Sequence, residues 1–240
     1  MARPIAVDLF CGGGGVAVGL MAAGYDVIGY DVEPQPDYPG LFVQRDAMTL
    51  SPRHLLSADF VWASPPCQAH IRMFGRDGKT RHPEMLADVV AMLDAYGVGR
   101  YAVECIPSAF TDLAVAYHLT LELGHFRAGM SNHRRRRFAV KGYQCPQPAL
   151  RYPYSPCTVG LSGRGNKFAR NRRRQSPTGP WLPAVQRIIG VEHIRTGTYA
   201  ERTSRTTNAI PPCYAEYIGR YSLPDADVGQ LVTATLSQPV

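Results

Sequence analysis

Cys67 stands in the run Ala63-Ser64-Pro65-Pro66-Cys67-Gln68, where two prolines stiffen the backbone just as a predicted strand leaves its sheet. A thiolate on such a platform is a soft nucleophile, and cationic neighbours would lower its pKa. Cys11, Cys105, Cys145, Cys157 and Cys213 lack that frame and read as small buried apolar residues. No Cys-x-x-Cys or His-x-x-x-His pair offers a metal site, and none is expected. A second group lies at Asp8-Leu9-Phe10-Cys11-Gly12-Gly13-Gly14-Gly15. Glycines there let the backbone bend tightly and approach a ligand with no Cβ in the way. The spacing is neither a phosphate-binding P-loop nor a clean dinucleotide fingerprint. It does fit the first turn of an open parallel sheet, where nucleotide-like ligands sit. Asp31, ending the next strand, could accept from ribose hydroxyls, and Asp46, after the third, could meet an adenine amino group. The same run also fits a tight structural turn with two surface acids.

These groups need a scaffold that brings strand ends together. Apolar runs predict strands at Ile5–Phe10, Asp26–Tyr30, Phe42–Gln44, Asp59–Ala63 and Arg100–Glu104, with a further one at Arg136–Val140. Helical spacing fits Val16–Ala23, Glu84–Tyr96, Trp181–Ile189 and Tyr214–Tyr221. The alternation is that of an α/β fold, a doubly wound and mostly parallel sheet. A catalytic domain is read over 1–141 and 180–222. Between them, 142–179 is rich in Pro, Gly, Ser and Arg and reads as a small basic lobe; 223–240 reads as a loosely ordered tail.

The 240 residues carry a net charge of +7, distributed unevenly. Residues 1–120 hold 8 basic and 13 acidic side chains, net −5, whereas 121–240 hold 18 and 6, net +12. Between Glu122 and Glu192 there is no acid, against 14 Lys and Arg. A one-signed block of this size points to a polyanion, nucleic acid before membrane surface. No apolar run approaches the roughly 20 residues of a membrane span, and no signal-peptide pattern opens the chain. Six Cys without a framework of spacings fit a reducing cytoplasm.

Several of these runs occur in one order: the glycine turn at 8–15, Pro65-Pro66-Cys67-Gln68, Glu104 at a strand end, Arg134-Arg135-Arg136-Arg137-Phe138, and Thr207-Asn208-Ala209-Ile210-Pro211-Pro212. The series resembles the ordered motifs of DNA cytosine-5 methyltransferases over residues 8 to about 220. Its compact length is similar to that of phage-encoded members. The resemblance implies a class I S-adenosylmethionine-dependent methyltransferase fold, double-stranded DNA as partner and S-adenosylmethionine as cofactor. No obligate protein partner is evident. Phe10, Cys11, Gly12, Gly13, Gly14, Asp31, Asp46 and Asn208 would then contact the cofactor. Cys67 would add to carbon 6 of cytosine, making carbon 5 nucleophilic enough to take a methyl group. Glu104 would act at the ring nitrogen N3. Arg134 and Arg136, two apart and so on one side of a strand, would hold the cytosine carbonyl and favour the thiolate. Arg135 and Arg137 would be surface charge, and in isolation all four fit a solvated basic strand. The target base must be flipped out of the duplex.

Three positions depart from the family pattern. Cys105-Ile106 follows Glu104 where Asn-Val is usual, Asn132 stands where Gln is expected, and Thr207 replaces Gly. The first bears on the nucleophile loop, which the Asn helps to hold. The recognition region would lie at about 142–178, with Arg164, Lys167, Arg170, Arg172, Arg173 and Arg174 tracking phosphates. Tyr152, Tyr154 and Phe168 would stack at the vacated base or form lobe core. A methyltransferase of exocyclic amines is disfavoured by Cys67, since those enzymes carry an aromatic after Pro-Pro. An RNA substrate remains open, as does a methylase-fold DNA-binding module with weak or no turnover.

Overall fold

The computed structural model describes residues 2–67, 84–112, 115–126, 134–150 and 181–223. Seven strands form one sheet: β1 (Ile5–Leu9), β2 (Asp26–Asp31), β3 (Leu41–Gln44), β4 (Phe60–Ala63), β5 (Tyr101–Cys105), β6 (Leu119–Leu121) and β7 (Arg136–Lys141). Their spatial order is β3-β2-β1-β4-β5-β7-β6. The first five run parallel, and β7 is antiparallel to both of its neighbours. The helices are α1 (Gly15–Ala23), α2 (Pro52–Leu56), α3 (Leu86–Ala95), α4 (Pro107–Asp112), α5 (Trp181–Ile189), α6 (Tyr199–Asn208) and α7 (Pro212–Ser222).

Strand alternation divides the core. Ala6, Phe60, Trp62, Ala102 and Phe138 face α1, α7 and the buried residues of 185–194. Val7, Leu9, Val61, Ala63 and Val103 face α3 together with Leu55 and Phe110. Every residue of β4 and β5 is buried, as both-face covering of a parallel sheet requires. Two glycines four apart set how closely α1 meets the last segment. A Cβ on Gly15 would stand 2.1 Å from the Ile210 carbonyl oxygen, and one on Gly19 2.1 Å from that of Pro212.

The strand order reverses between β1 and β4, so the loops leaving their carboxyl ends bound the crevice where such sheets hold ligands. The sequence reading anticipates six of the seven strands. Strand β6, three residues at the sheet edge, is additional, as are α2, α4 and α6. Residues 142–150 contain neither helix nor strand. The rest of the anticipated lobe, 151–179, and the tail beyond 223 lie outside the described residues, with Gln68 and Asn132. Among the described residues no helix is long and apolar enough to cross a membrane.

Candidate active site

The glycine turn begins with a residue that is not glycine. Phe10 follows β1 in left-handed backbone, φ 58°, and Gly12 comes next but one at φ 47°. Gly12 is open on its Cβ side and faces a cleft of about 1280 Å³. Two bonds tie the turn to β2: Cys11 N–H donates to the Tyr30 carbonyl at 3.1 Å, and Gly12 N–H to Asp31 Oδ2 at 2.9 Å. The other Asp31 oxygen accepts from Glu33 N–H at 2.9 Å. Asp31 thus fixes the turn as well as lining the cleft. Asp46 also lines it, while its Oδ1 caps the 3-10 turn Ala47–Thr49 through Met48 N–H at 2.9 Å. Phe10, Cys11, Gly13 and Asn208 complete the anticipated lining. Gly14 does not belong to it; it caps α1 at φ 77° with Pro39 packed against its Cα.

Cys67, Glu104 and Arg136 line the same cleft. The registry of β4 with β5, Ala63 opposite Val103, sets the strand ends side by side. Ser64 N–H donates to the Leu9 carbonyl at 3.1 Å, fixing the proline loop to β1. Ser64 Oγ accepts from the Trp62 indole at 2.9 Å and hydrogen-bonds Glu104. Glu104 is 4% exposed. Burial raises its pKa, against the pull of Arg136 and Arg134, and Arg136 Nε lies 2.6 Å from Oε1. The Cys67 thiol is shifted the other way. A hydrogen bond with Cys105 lowers its pKa, burial and Glu104 oppose, and Arg136 and Arg134 add to the lowering. Cys105, buried behind it, is pushed far up by that same contact and by burial.

Arg134 departs from the strand argument. It precedes β7 and has φ 44°, so alternation with Arg136 does not apply. The side chain leaves the cleft and donates through Nη2 to the carbonyls of Thr207, at 2.8 Å, and Ala209. Its pKa is pulled down to about 9 by burial and by Arg136. Arg134 therefore braces the turn that carries Asn208. Arg135 is exposed and pairs with Glu122 at 3.0 Å. Arg137 is not free surface charge: it donates to the Pro107 carbonyl and Thr111 Oγ1 and lies 4.1 Å over the Tyr117 ring. Arg164, Lys167, Arg170, Arg172, Arg173 and Arg174 lie outside the described residues.

The far wall was missed by sequence reasoning. Gly197, Glu201, Ser204 and Arg205, on and before α6, face the glycine turn across the cleft. The signal was present in Thr198-Tyr199-Ala200-Glu201, a capping box in which Thr198 and Glu201 satisfy each other's backbone N–H groups. Asp37, between β2 and β3, clamps this wall. Its carboxylate accepts from Arg195 N–H, Thr196 N–H and Arg205 Nη1 at 2.9–3.0 Å. The described residues contain no cluster of His, Cys, Asp and Glu able to hold a metal ion.

A seven-stranded sheet with β7 reversed, carrying a glycine turn at its switch point, is the class I methyltransferase fold, and solved structures agree. One is described as a DNA modification methyltransferase encoded within a prophage (E. coli). It aligns with TM-score 0.60 and 15% identity over 98% of this chain and 100% of its own. Spodoptera frugiperda DNMT2 aligns with TM-score 0.57 and 11% identity over 91% of this chain and 99% of its own. Entamoeba histolytica methyltransferase EhMeth gives 0.58 and 11% over 94% and 99%. No protein-family model and no curated protein matches the sequence. At these identities the likeness is one of fold.

Proposed function

We propose that this chain transfers a methyl group from S-adenosylmethionine to carbon 5 of cytosine in DNA, through a covalent adduct between Cys67 and a flipped-out base. The observation that carries the reading is the meeting of Cys67, Glu104 and Arg136 in one cleft with the glycine turn. A cleft of about 1280 Å³ exceeds the size of ordinary small-molecule sites and suits a nucleoside cofactor beside a base. The open face at Gly12, with Asp31 and Asp46 along one wall and Asn208 on the other, suits the cofactor. When bound, it supplies an electrophilic methyl group on a sulfonium centre.

The residues of this chain would then act as follows. Cys67 thiolate, favoured by Arg136 and the Cys105 thiol, forms a bond to carbon 6. Glu104, whose pKa burial raises, would donate a proton at N3 and neutralise charge as the ring accepts the sulfur's electron pair. Electron density moves to carbon 5, the methylated position. A base then removes the carbon-5 proton, the carbon–sulfur bond breaks, Cys67 leaves as thiolate and N3 returns its proton. Arg136 holds Glu104 throughout, and Arg134 positions the Asn208 turn without touching the base. The basic segment 142–179 would form the recognition lobe and carry the DNA contacts at Arg164, Lys167, Arg170, Arg172, Arg173 and Arg174.

Nucleoside mass spectrometry on unmethylated duplex DNA, incubated with protein and S-adenosylmethionine, tests this. The expected result is 5-methyldeoxycytidine, absent with a correctly folded Cys67→Ala variant. Methylated amino groups, or product made by Cys67→Ala, would overturn the mechanism. Product on RNA alone would overturn the substrate.

A further inference from the structure

Cys67 and Cys105 are both free thiols, and their side chains are in hydrogen-bonding contact. They meet because β4 and β5 are parallel neighbours, Ala63 opposite Val103, so the chain leaving β4 passes the end of β5. Pro65 and Pro66 restrict the path by which Cys67 arrives there. The two thiols differ in access. Cys67 is half-buried and lines the cleft, whereas Cys105 is 1% exposed and lies behind it. A dissolved reagent therefore meets Cys67 first. They differ in protonation as well. The Cys105 contact, and after it Arg136 and Arg134, favour the thiolate at Cys67 against burial and Glu104, while Cys105 keeps its proton. A reactive, accessible thiol touching a sheltered one is the arrangement that reversible oxidation requires.

We propose that Cys67 and Cys105 form a dithiol that a hydroperoxide closes to a disulfide, Cys67 being the thiol oxidised and Cys105 the one that resolves it. In the first step the Cys67 thiolate attacks the peroxide. A sulfur–oxygen bond forms, the oxygen–oxygen bond breaks, and hydroxide or alkoxide leaves as the sulfur is oxidised to sulfenic acid. The Cys105 sulfur then attacks the Cys67 sulfur. The disulfide forms, the sulfur–oxygen bond breaks, and the Cys105 proton departs with the hydroxyl as water. Thiol reductants reverse the closure by exchange, and closure forestalls the irreversible sulfinic acid. Cys11 lines the same cleft but does not share this chemistry: burial, then Asp8 and Asp31, push its pKa far up. The pairing stands on the two thiols alone; its effect on turnover rests on the methyltransferase reading above.

Peptide mapping tests it on the full chain, treated with hydrogen peroxide, alkylated with iodoacetamide in denaturant and digested without reductant. The expected product is the Cys67 peptide joined to the Cys105 peptide, with Cys11 alkylated and the joined species lost on adding dithiothreitol. In Cys105→Ser, dimedone is expected to trap Cys67 as sulfenic acid. Without dimedone that variant is expected to pass to sulfinic acid, which dithiothreitol does not reverse. Wild-type Cys67 recovered as sulfinic acid, left unmodified, or joined to any other cysteine would overturn the pairing. In the wild type, peroxide is expected to abolish formation of 5-methyldeoxycytidine and dithiothreitol to restore it. Joined peptides from a protein that makes no 5-methyldeoxycytidine before treatment would overturn the methyltransferase reading and support the dithiol.

Discussion

At the scale of single residues, a second thiol, that of Cys105, is buried behind Cys67. Cys105 stands where the sequence resemblance implies Asn, and its contact with Cys67 is the first cause of the lowered pKa there. The two groups are unequal: Cys67 opens on the cleft near Arg136, whereas Cys105 is sealed behind it and keeps its proton. Cys105 is accordingly a donor that favours the thiolate next to it. Replacing it with Ala removes that donor and raises the Cys67 pKa. A hydrogen bond of about 1 kcal/mol corresponds to about a fivefold smaller thiolate population at a pH below the midpoint. Alkylation of Cys67 by iodoacetamide, followed by peptide mass spectrometry, should show its pH profile moved to higher pH. An unmoved profile would assign the activation to Arg136 and leave Cys105 as packing.

At the scale of elements, the loop between β2 and β3 is seated by a buried acid. Tyr38 crosses the face of Gly29, where a Cβ would stand 2.3 Å from its ring, and donates to Asp8 Oδ2 on β1 at 3.0 Å. Asp8 is fully buried with its other oxygen unpaired, and burial pushes its pKa up to about 8. A raised carboxyl pKa means that the folded state holds a proton the unfolded chain releases above about pH 4. The stability linked to it is complete below that pH and is lost as pH rises to about 8. Asp8→Asn, neutral throughout, should flatten the melting-temperature profile between those limits and gain roughly 1–3 kcal/mol at pH 7. Parallel profiles for variant and wild type would remove Asp8 as the source. The strands bearing these groups were legible because they are buried, apolar and bounded by turns. Helix α6 was not, because Tyr199–Asn208 is almost wholly polar and is held by its caps and by Asp37. Arg134 was misplaced because alternation presumes extended backbone, and that residue is left-handed.

At the scale of the whole molecule, charge and sheet divide the work. The ligand-facing strand ends come mainly from the acidic first half, net −5, and the basic excess follows in the second, net +12. If Arg172, Arg173 and Arg174 meet phosphates, replacing all three with Ala should lower the slope of log affinity against log salt by about 2 to 3. Fluorescence anisotropy across a salt series would measure it, and an unchanged slope would move the DNA footprint elsewhere. The seating of Ile210 and Pro212 on Gly15 and Gly19, and the hold of Asp37 on Thr196 and Arg205, also carry a meaning in time. On the ribosome, the glycine turn emerges first and its opposite wall about 190 residues later, a delay of roughly 10 to 40 s at ordinary elongation rates. During that interval the nascent chain has the floor of the cleft and no far wall. On the methyltransferase reading proposed above, cofactor capture would wait for α6 and α7, and a messenger truncated before them would yield a sheet with one wall of the cleft missing.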